Sequence, residues 1–310
     1  MAIENNAATG DLGRLRASGQ SHLRSQAITQ ARLPPKEQIA FHGDRMTAPS
    51  SLTELFLWQE LDKGTKAAAR QKVTDICGRP WRPNIADIHS TTSLRIANYI
   101  YTKLGVSREL ASEEQKGSAG NALERAAEQH LLQSLDTSKW TVKRNAKLDD
   151  YVQYEHLGKL RSLLANDEIL RDVVGTEYTT NPDVVVGRLD GDAVMLHAVI
   201  SCKWTIRSDR VQNVRHESNT LIAARRGRAP HIVAVTAEPL PSRIAALVGG
   251  VGGVDTVYHV ALTETGEGVT EFANERTNRD QPSQLEQWDE MVKQKRLKSF
   301  DNLVTDLINH

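Results

Sequence analysis

A chain of 310 residues, 39% apolar and 25% charged, can bury one substantial core, or a core with a small appended lobe. Its 39 basic and 39 acidic residues cancel, which excludes a coat that holds nucleic acid by bulk positive charge. No apolar run approaches the roughly eighteen residues of a membrane span. The stretch Met1 to Leu12 lacks an apolar signal core and carries acidic residues, which argues against export. The two cysteines, Cys77 and Cys202, lie far apart with no CxxC or Cys/His cluster. That disfavours a disulfide framework or a zinc site and fits a reducing cytoplasm.

Residues 1–50, rich in Ala, Ser, Gln and Arg and broken by Pro34-Pro35, read as a mobile or loosely helical extension. Residues 51–310 are expected to form a single domain. Ser51 to Ile76 reads as largely helical, with Leu57, Trp58 and Leu61 on one face. A second helix is expected over Ser93 to Leu104. A third runs from Ser118, a candidate N-cap, to Leu135, with Leu123, Ala127 and Leu131 as its apolar stripe.

From Trp140 the character changes. Trp140 to Lys143 reads as a short strand and Tyr151 to Ala165 as a helix. Pro182 to Gly187 and Ala193 to Trp204 are β-prone runs separated by the turn signal Asp190-Gly191. A helix is predicted over Asp209 to Ala224, capped by Ser208, with Val211, Val214, Leu221 and Ile222 inward. His231 to Thr236 and Thr256 to Val260 read as buried strands, Gly249 to Gly253 as a flexible turn, and Glu286 to Asn309 as two closing helices. The order predicts an α/β protein, a central mixed β-sheet flanked by α-helices.

Chemistry gathers at the strand ends. Phosphodiester hydrolysis requires oxygen ligands for hard cations, a positive charge near the developing phosphorane, and an activated water. Asp183 follows Pro182 at one strand start, and Ser201-Cys202-Lys203 closes the next strand. Alternation puts Ser201 and Lys203 on one face and Cys202 on the other. This is the outline of the PD-(D/E)xK nuclease pattern, with Ser201 where a carboxylate is expected. The same residues also read as a strand start, a turn cap and a surface lysine. Glu217, which shares a helix face with Arg210 and Asn213, is a candidate replacement for the missing carboxylate. A strict hairpin is expected to pair Asp183 near Ala198, leaving a gap to Lys203 that a bulge or bend must close.

From Lys203 to Arg228 seven basic residues stand against two acidic ones. Arg207, Asp209 and Arg210 suit G·C pairs, since arginine forks onto guanine O6 and N7 and aspartate accepts from cytosine N4. A cluster of local salt bridges is the alternative. No GxxxxGK[ST] loop or GxGxxG after a strand points to a nucleotide-dependent enzyme.

The runs Ser201-Cys-Lys-Trp-Thr-Ile-Arg-Ser-Asp-Arg210 through Glu217, His231 to Ile244, and Gly120-Asn-Ala-Leu-Glu124 resemble the NgoMIV-like restriction endonucleases, which recognise a CCGG core. The resemblance extends from about Asp87 to the C-terminus. It implies a restriction-endonuclease-like core and Mg²⁺-dependent cleavage of double-stranded DNA at GCCGGC, after the first G, with two Mg²⁺ per active site. Asp183 would bridge metal with the Cys202 carbonyl, Lys203 would be the catalytic lysine, and Glu217 the displaced carboxylate, so that Ser201 is itself a family trait. Glu124 would be a further active-site glutamate. Arg207, Asp209 and Arg210 would read the inner bases and Arg243 the outer guanine from the major groove. Asp87 would touch the outer pair from the minor groove, although it also reads as a loop or N-cap aspartate. A homotetramer that cuts two sites in concert and a cognate DNA methyltransferase are implied in the same way. The connection from Asp183 to Lys203 is shorter than the family's, and the N-terminal extension is unmatched. Two rival expectations are a different outer pair and a non-cleaving DNA-binding protein on a decayed nuclease fold.

Overall fold

The computed structural model of the chain describes residues 50–112, 115, 119–174, 181–249, 253–275 and 283–309. All of these belong to one unit within Gly43–His310. The predicted extension, save Ser50, and the predicted cap Ser118 lie outside the described residues. So does most of the glycine run after Gly249.

Before the main sheet come α1 (Ser50–Thr53), β1 (Trp58–Glu60), α2 (Ala67–Cys77), β2 (Trp81–Pro83), α3 (Thr91–Lys103) and α4 (Ala119–Ser134). The main sheet is built from β3 (Trp140–Arg144), β4 (Val184–Asp190), β5 (Ala193–Cys202), β6 (His231–Thr236), β7 (Thr256–His259) and β8 (Leu297–Ser299). Its spatial order follows the chain, antiparallel from β3 to β5 and parallel from β5 to β8. The connecting and closing helices are α5 (Glu155–Asn166), α6 (Glu168–Val174), α7 (Ser208–Ala224), α8 (Pro241–Val248), α9 (Leu262–Asn274), α10 (Gln284–Lys293) and α11 (Leu303–Asn309). The architecture is the predicted α/β type with a mixed central sheet. Among the described residues no helix is long and apolar enough to cross a membrane.

Alternation sorts the sheet residues onto two cores. Val184, Val186, Ala198, Ile200 and Cys202 join the larger one with α3 and α4 residues such as Ile100 and Leu123. Val185 and Val199 face a smaller core with Tyr151, Tyr154 and Leu221. Leu196 belongs to that smaller core too, although it lies three positions before Val199. Strict alternation would put the two on opposite faces. The difference comes from a bulge: Val186 pairs with Ala198 while Gly187 pairs with Leu196, so His197 is the extra residue. Gln153 stabilises it by donating to the Leu196 carbonyl at 2.8 Å and accepting from the Leu196 amide at 2.9 Å.

Several expectations for the elements need correction. Ser51 to Ile76 is not largely helical: Trp58 belongs to β1 and pairs with Pro83, and α2 begins only at Ala67. Leu57, Trp58 and Leu61 make a short apolar run whose spacing does not separate helix from strand. Trp58 and Phe56 instead pack edge-on against Tyr101, at ring distances of 5.0 and 5.7 Å. The helix expected from Tyr151 starts at Glu155, because the preceding turn delivers Gln153 to the bulge and the Tyr154 hydroxyl to the Leu221 carbonyl. The closing segment contains β8 between its helices. Helix α9 had no counterpart among the predicted elements. Its Gly266 and Gly268 are poor helix formers, tolerated because α9 lies close against Trp288 and Tyr99.

Two predictions follow from this packing. At Gly187 a Cβ would fall 2.6 Å from both Thr141 Oγ1 and Val194 Cγ1. Gly187→Ala is therefore expected to destabilise the protein by about 1–3 kcal/mol, the range for overpacked sites. Urea unfolding that shows no loss would refute this reading of the bulge.

His259 is buried; its Nδ1 accepts from the Ala261 amide and its Nε2 faces the Glu238 carbonyl at 3.0 Å, which fixes a neutral ring with the proton on Nε2. Burial lowers its pKa from 6.5 to about 4. The unfolded chain therefore takes up a proton first, and stability present above pH 6.5 is lost as pH falls toward 4, by up to about 3 kcal/mol. In urea titrations at a series of pH values, the stability gap between wild type and His259→Gln should narrow over that window. A gap independent of pH would contradict the assignment.

Candidate active site and DNA-reading surface

The bulge at His197 decides which residues meet. Counting strictly from the Asp190–Ala193 pair puts Asp183 opposite Ile200, and the extra residue moves it opposite Ser201. The expected pairing near Ala198 does not occur, because the turn is Gly191-Asp192 rather than Asp190-Gly191 and the bulge adds one residue more, so the gap to Lys203 is shorter than anticipated. Asp183 Oδ2 accepts from the Cys202 amide at 2.7 Å and from Lys203 Nζ at 2.6 Å. Both side chains of the ion pair are 21% exposed, enough for a substrate to reach them. The Lys203 amide donates to the Val235 carbonyl at 2.9 Å, which ties this strand end to β6. Cys202 is buried in the larger core, so only its backbone is available to the site.

Two glutamates share the electrostatic field of this pair. Burial raises the pKa of Glu124, on α4, and the nearby Asp183 charge adds to it against the pull of Lys203. Burial likewise raises Glu217, on α7, which Lys203 lowers and Asp183 raises again. Asp183, Glu124 and Glu217 thus share the field of Lys203, with Arg144 and Arg125 also acting on Glu124. Ser201 Oγ, where the nuclease pattern has a carboxylate, is buried and has no hydrogen-bond partner among the described residues. Neighbouring carboxylates, all-oxygen donors and an unpartnered hydroxyl suit a hard divalent cation with its waters. Among the described residues no three His, Cys, Asp or Glu side chains are grouped to hold an ion by themselves. The Cys202 carbonyl, water and a phosphate oxygen would have to complete its shell.

Beyond Lys203 the chain enters α7. The helix starts at Ser208 itself and Arg207 is the N-cap, without a side-chain hydrogen bond, so the expected Ser208 cap is corrected. Arg207 and Asp209 are exposed, and half-buried Arg210 folds back to donate to the Thr205 carbonyl at 2.9 Å. Among the described residues neither arginine pairs with Asp209, which removes the local salt-bridge alternative.

Arg243, on α8, forms an ion pair with Asp87 and stands 3.7 Å from Glu238 Oε1. Asp87 also accepts from the His89 amide at 2.9 Å, while Ser90 provides the N-cap of α3. Burial works against the Asp87 charge, but the His89 amide and Arg243 outweigh it and hold the carboxyl below its usual range. While they are paired, Asp87 and Arg243 cannot lie in opposite grooves of one base pair.

Two neighbours went unassigned in the sequence. Arg82, on β2, lies within the electrostatic reach of both Arg207 and Asp87, and burial lowers its pKa. Glu238 is fully buried between the two arginine-bearing segments. An isolated arginine beside a proline and an isolated glutamate in a proline-containing connection form no spacing pattern. The signals for Glu238 are an acid just past a buried strand and its place within the run His231 to Ile244.

A family model described as the NgoMIV restriction enzyme matches residues 65–193 and 188–308. The type II restriction enzyme NgoMIV of Neisseria gonorrhoeae is 35% identical over 261 residues, covering 72% of this chain and 88% of its own. The chain belongs to the NgoMIV family of restriction enzymes. It is a type II restriction endonuclease, a site-specific deoxyribonuclease that acts on double-stranded DNA, in a class that generally uses divalent metal. Among solved structures, the PspGI restriction endonuclease–DNA complex is 11% identical, with 83% of this chain and 85% of that chain covered and a TM-score of 0.36. The pre-specific BsaWI–DNA complex is 17% identical, with coverages of 62% and 71% and a TM-score of 0.29.

Proposed function

We propose that this enzyme cuts GCCGGC after the first G, leaving a CCGG 5′-overhang, by Mg²⁺-dependent hydrolysis. The observation that carries the chemistry is Asp183 receiving both the Cys202 amide and Lys203 Nζ at a strand end beside Glu124 and Glu217. Asp183 and the Cys202 carbonyl would hold the cations, two per active site, with Glu217 replacing the carboxylate that Ser201 lacks. When bound, Mg²⁺ supplies Lewis acidity, lowering the pKa of a water and offsetting charge on the leaving 3′-oxygen. Lys203, steered by Asp183, orients the nucleophile and neutralises the phosphorane. Glu124 would accept from waters of the metal's shell.

Arg207, Asp209 and Arg210 are the proposed readers of the inner C·G pairs, and Arg243 of the outer guanine. Asp87 is proposed to touch the outer pair from the minor groove, so its ion pair with Arg243 would open when DNA binds. We place the nuclease in residues 51–310, with residues 1–50 as an extension. A homotetramer engaging two sites and a cognate methyltransferase complete the proposal by family likeness. Digestion of a sequenced plasmid with Mg²⁺, followed by run-off sequencing of the ends, tests the site and the cut. Ends lacking a CCGG core would overturn the proposal.

Lys203→Ala, Asp183→Ala and Glu217→Ala should each abolish cleavage while specific binding in Ca²⁺ stays measurable. A variant that cuts near the wild-type rate removes its residue from the mechanism. Arg243→Ala should cost about 1–3 kcal/mol of discrimination, confined to the outer pair. Binding to duplexes that vary only that pair, at fixed salt, is the measurement. An equal loss on every duplex would make Arg243 a phosphate contact, because such contacts position without specifying.

A further inference from the structure

Glu238 lies in the connection from β6 to α8 with its side chain fully buried. Taking a carboxylate out of water is unfavourable unless donors meet its oxygens. Here two backbone amides from different segments do so. Ile206 N donates to Oε2 at 2.8 Å, and Leu240 N donates to Oε1 at 3.1 Å. The same Oε1 stands 3.7 Å from Arg243 Nη1. Ile206 immediately precedes Arg207, and Leu240 lies three positions before Arg243. One carboxylate therefore spans the two DNA-reading segments.

The backbone around Glu238 is fixed as well. Its amide donates to Thr236 Oγ1 at 3.1 Å, and its carbonyl meets His259 Nε2 at 3.0 Å. Next to it, the Ala237 amide donates to the Trp204 carbonyl at 3.1 Å. Trp204 Nε1 in turn donates to Asn84 Oδ1 at 3.0 Å, three residues before Asp87. The bridge is seated in a rigid frame.

We propose that Glu238 is a positioning residue that fixes the spacing between Arg207–Arg210 and Arg243, so that discrimination at the inner and outer base pairs depends on it jointly although it touches no DNA. The proposal rests on the reading of Arg207 and Arg243 as base readers. DNA presents successive pairs at a fixed rise, so two readers engage together only if their separation matches it. Glu238→Gln keeps the shape but leaves one acceptor oxygen, and its NH₂ group would face one of the two amides donor to donor. One tie is lost, and the segments are no longer held at one spacing.

Protonation would do the same, and burial raises this carboxyl to about 7. The charged groups around it are Arg243 on α8 and Asp87, which is paired to Arg243; the His259 ring beside its carbonyl is neutral, with a pKa of about 4.

The test measures dissociation constants in Ca²⁺ at fixed salt for GCCGGC, for duplexes altered at the inner or at the outer pair, and for an unrelated duplex. For Glu238→Gln both discrimination ratios should fall about tenfold, within the worth of one base contact, while affinity for the unrelated duplex holds within about twofold. Unchanged ratios, or an equal loss on all four duplexes, would overturn the proposal. Should Glu238→Gln fail to fold, the wild-type protein decides. Its two ratios should fall together as pH drops from about 8 to about 6, as the carboxyl takes up its proton. Ratios flat over that range would refute it. Arg207→Ala and Arg243→Ala serve as controls. If neither alters base discrimination, the reader assignment has failed; if both do and Glu238→Gln does not, only the bridge has failed.

Discussion

Asp183 and Lys203 meet because β5 carries one residue more than the β4 segment it pairs with. Side chains in a strand alternate with period two, so a one-residue slip exchanges faces for everything beyond it. With His197 bulged out, Val185 and Val199 face the smaller core, and the position beyond them aligns Asp183 with Ser201. Without the bulge Asp183 would lie opposite Ile200, whose side chain is in the larger core. The Gln153 amide and the absence of a Cβ at Gly187 are what make the bulge affordable. The site thus depends on residues that contribute nothing to its chemistry.

Charge gives that geometry its character. The chain is neutral overall, yet Asp183, Glu124 and Glu217 gather around Lys203, with Arg144 and Arg125 reaching only Glu124, and burial leaves the two glutamates poorly solvated. Such a pocket is electrostatically unfavourable by itself, and a bound divalent cation would relieve it. Beyond the strand ends arginines gather, Arg207, Arg210 and Arg243 with Arg82 of β2 nearby, although Asp87 and Glu238 face Arg243. Local charge separation, rather than net charge, is what a neutral DNA enzyme has to work with.

Much of this was legible in the sequence, and the misses have physical causes. Strands β4 to β7 declared themselves through β-branched runs bounded by turn residues, and α3, α4 and α7 through a helical stripe such as Leu123, Ala127 and Leu131. Strands β1, β2 and β8 have three residues each, too few for any period to show. Helix α9 hid behind its glycines, which weaken helix propensity but allow close packing on Trp288 and Tyr99. The bulge was anticipated in kind but not in register, because its cause, Gln153, lies 43 residues before Leu196. Asp183, Lys203, Glu217 and Glu124 were singled out as candidates by motif and likeness, and the structure sets Lys203 on Asp183 with both glutamates in their field. Glu238 escaped because what sets it apart is its two amide partners, and no residue pattern encodes an amide partner.

Parallel pairing brings the candidate catalytic and base-reading residues to the same edge of the sheet. Strands β5 and β6 run side by side, with Cys202 paired to Val235, so both chains leave the sheet at one level and in one direction. The first exit delivers Lys203 and then the Arg207 segment; the second delivers Glu238 and then Arg243. In open α/β sheets the crevice beyond the strand ends is where ligands bind, because loops from neighbouring parallel strands converge there. An antiparallel β5–β6 pair would have sent Arg243 to the far end of the sheet. The switch from antiparallel to parallel pairing at β5 is therefore the topological feature that puts the candidate catalytic lysine and both candidate readers within reach of one stretch of duplex.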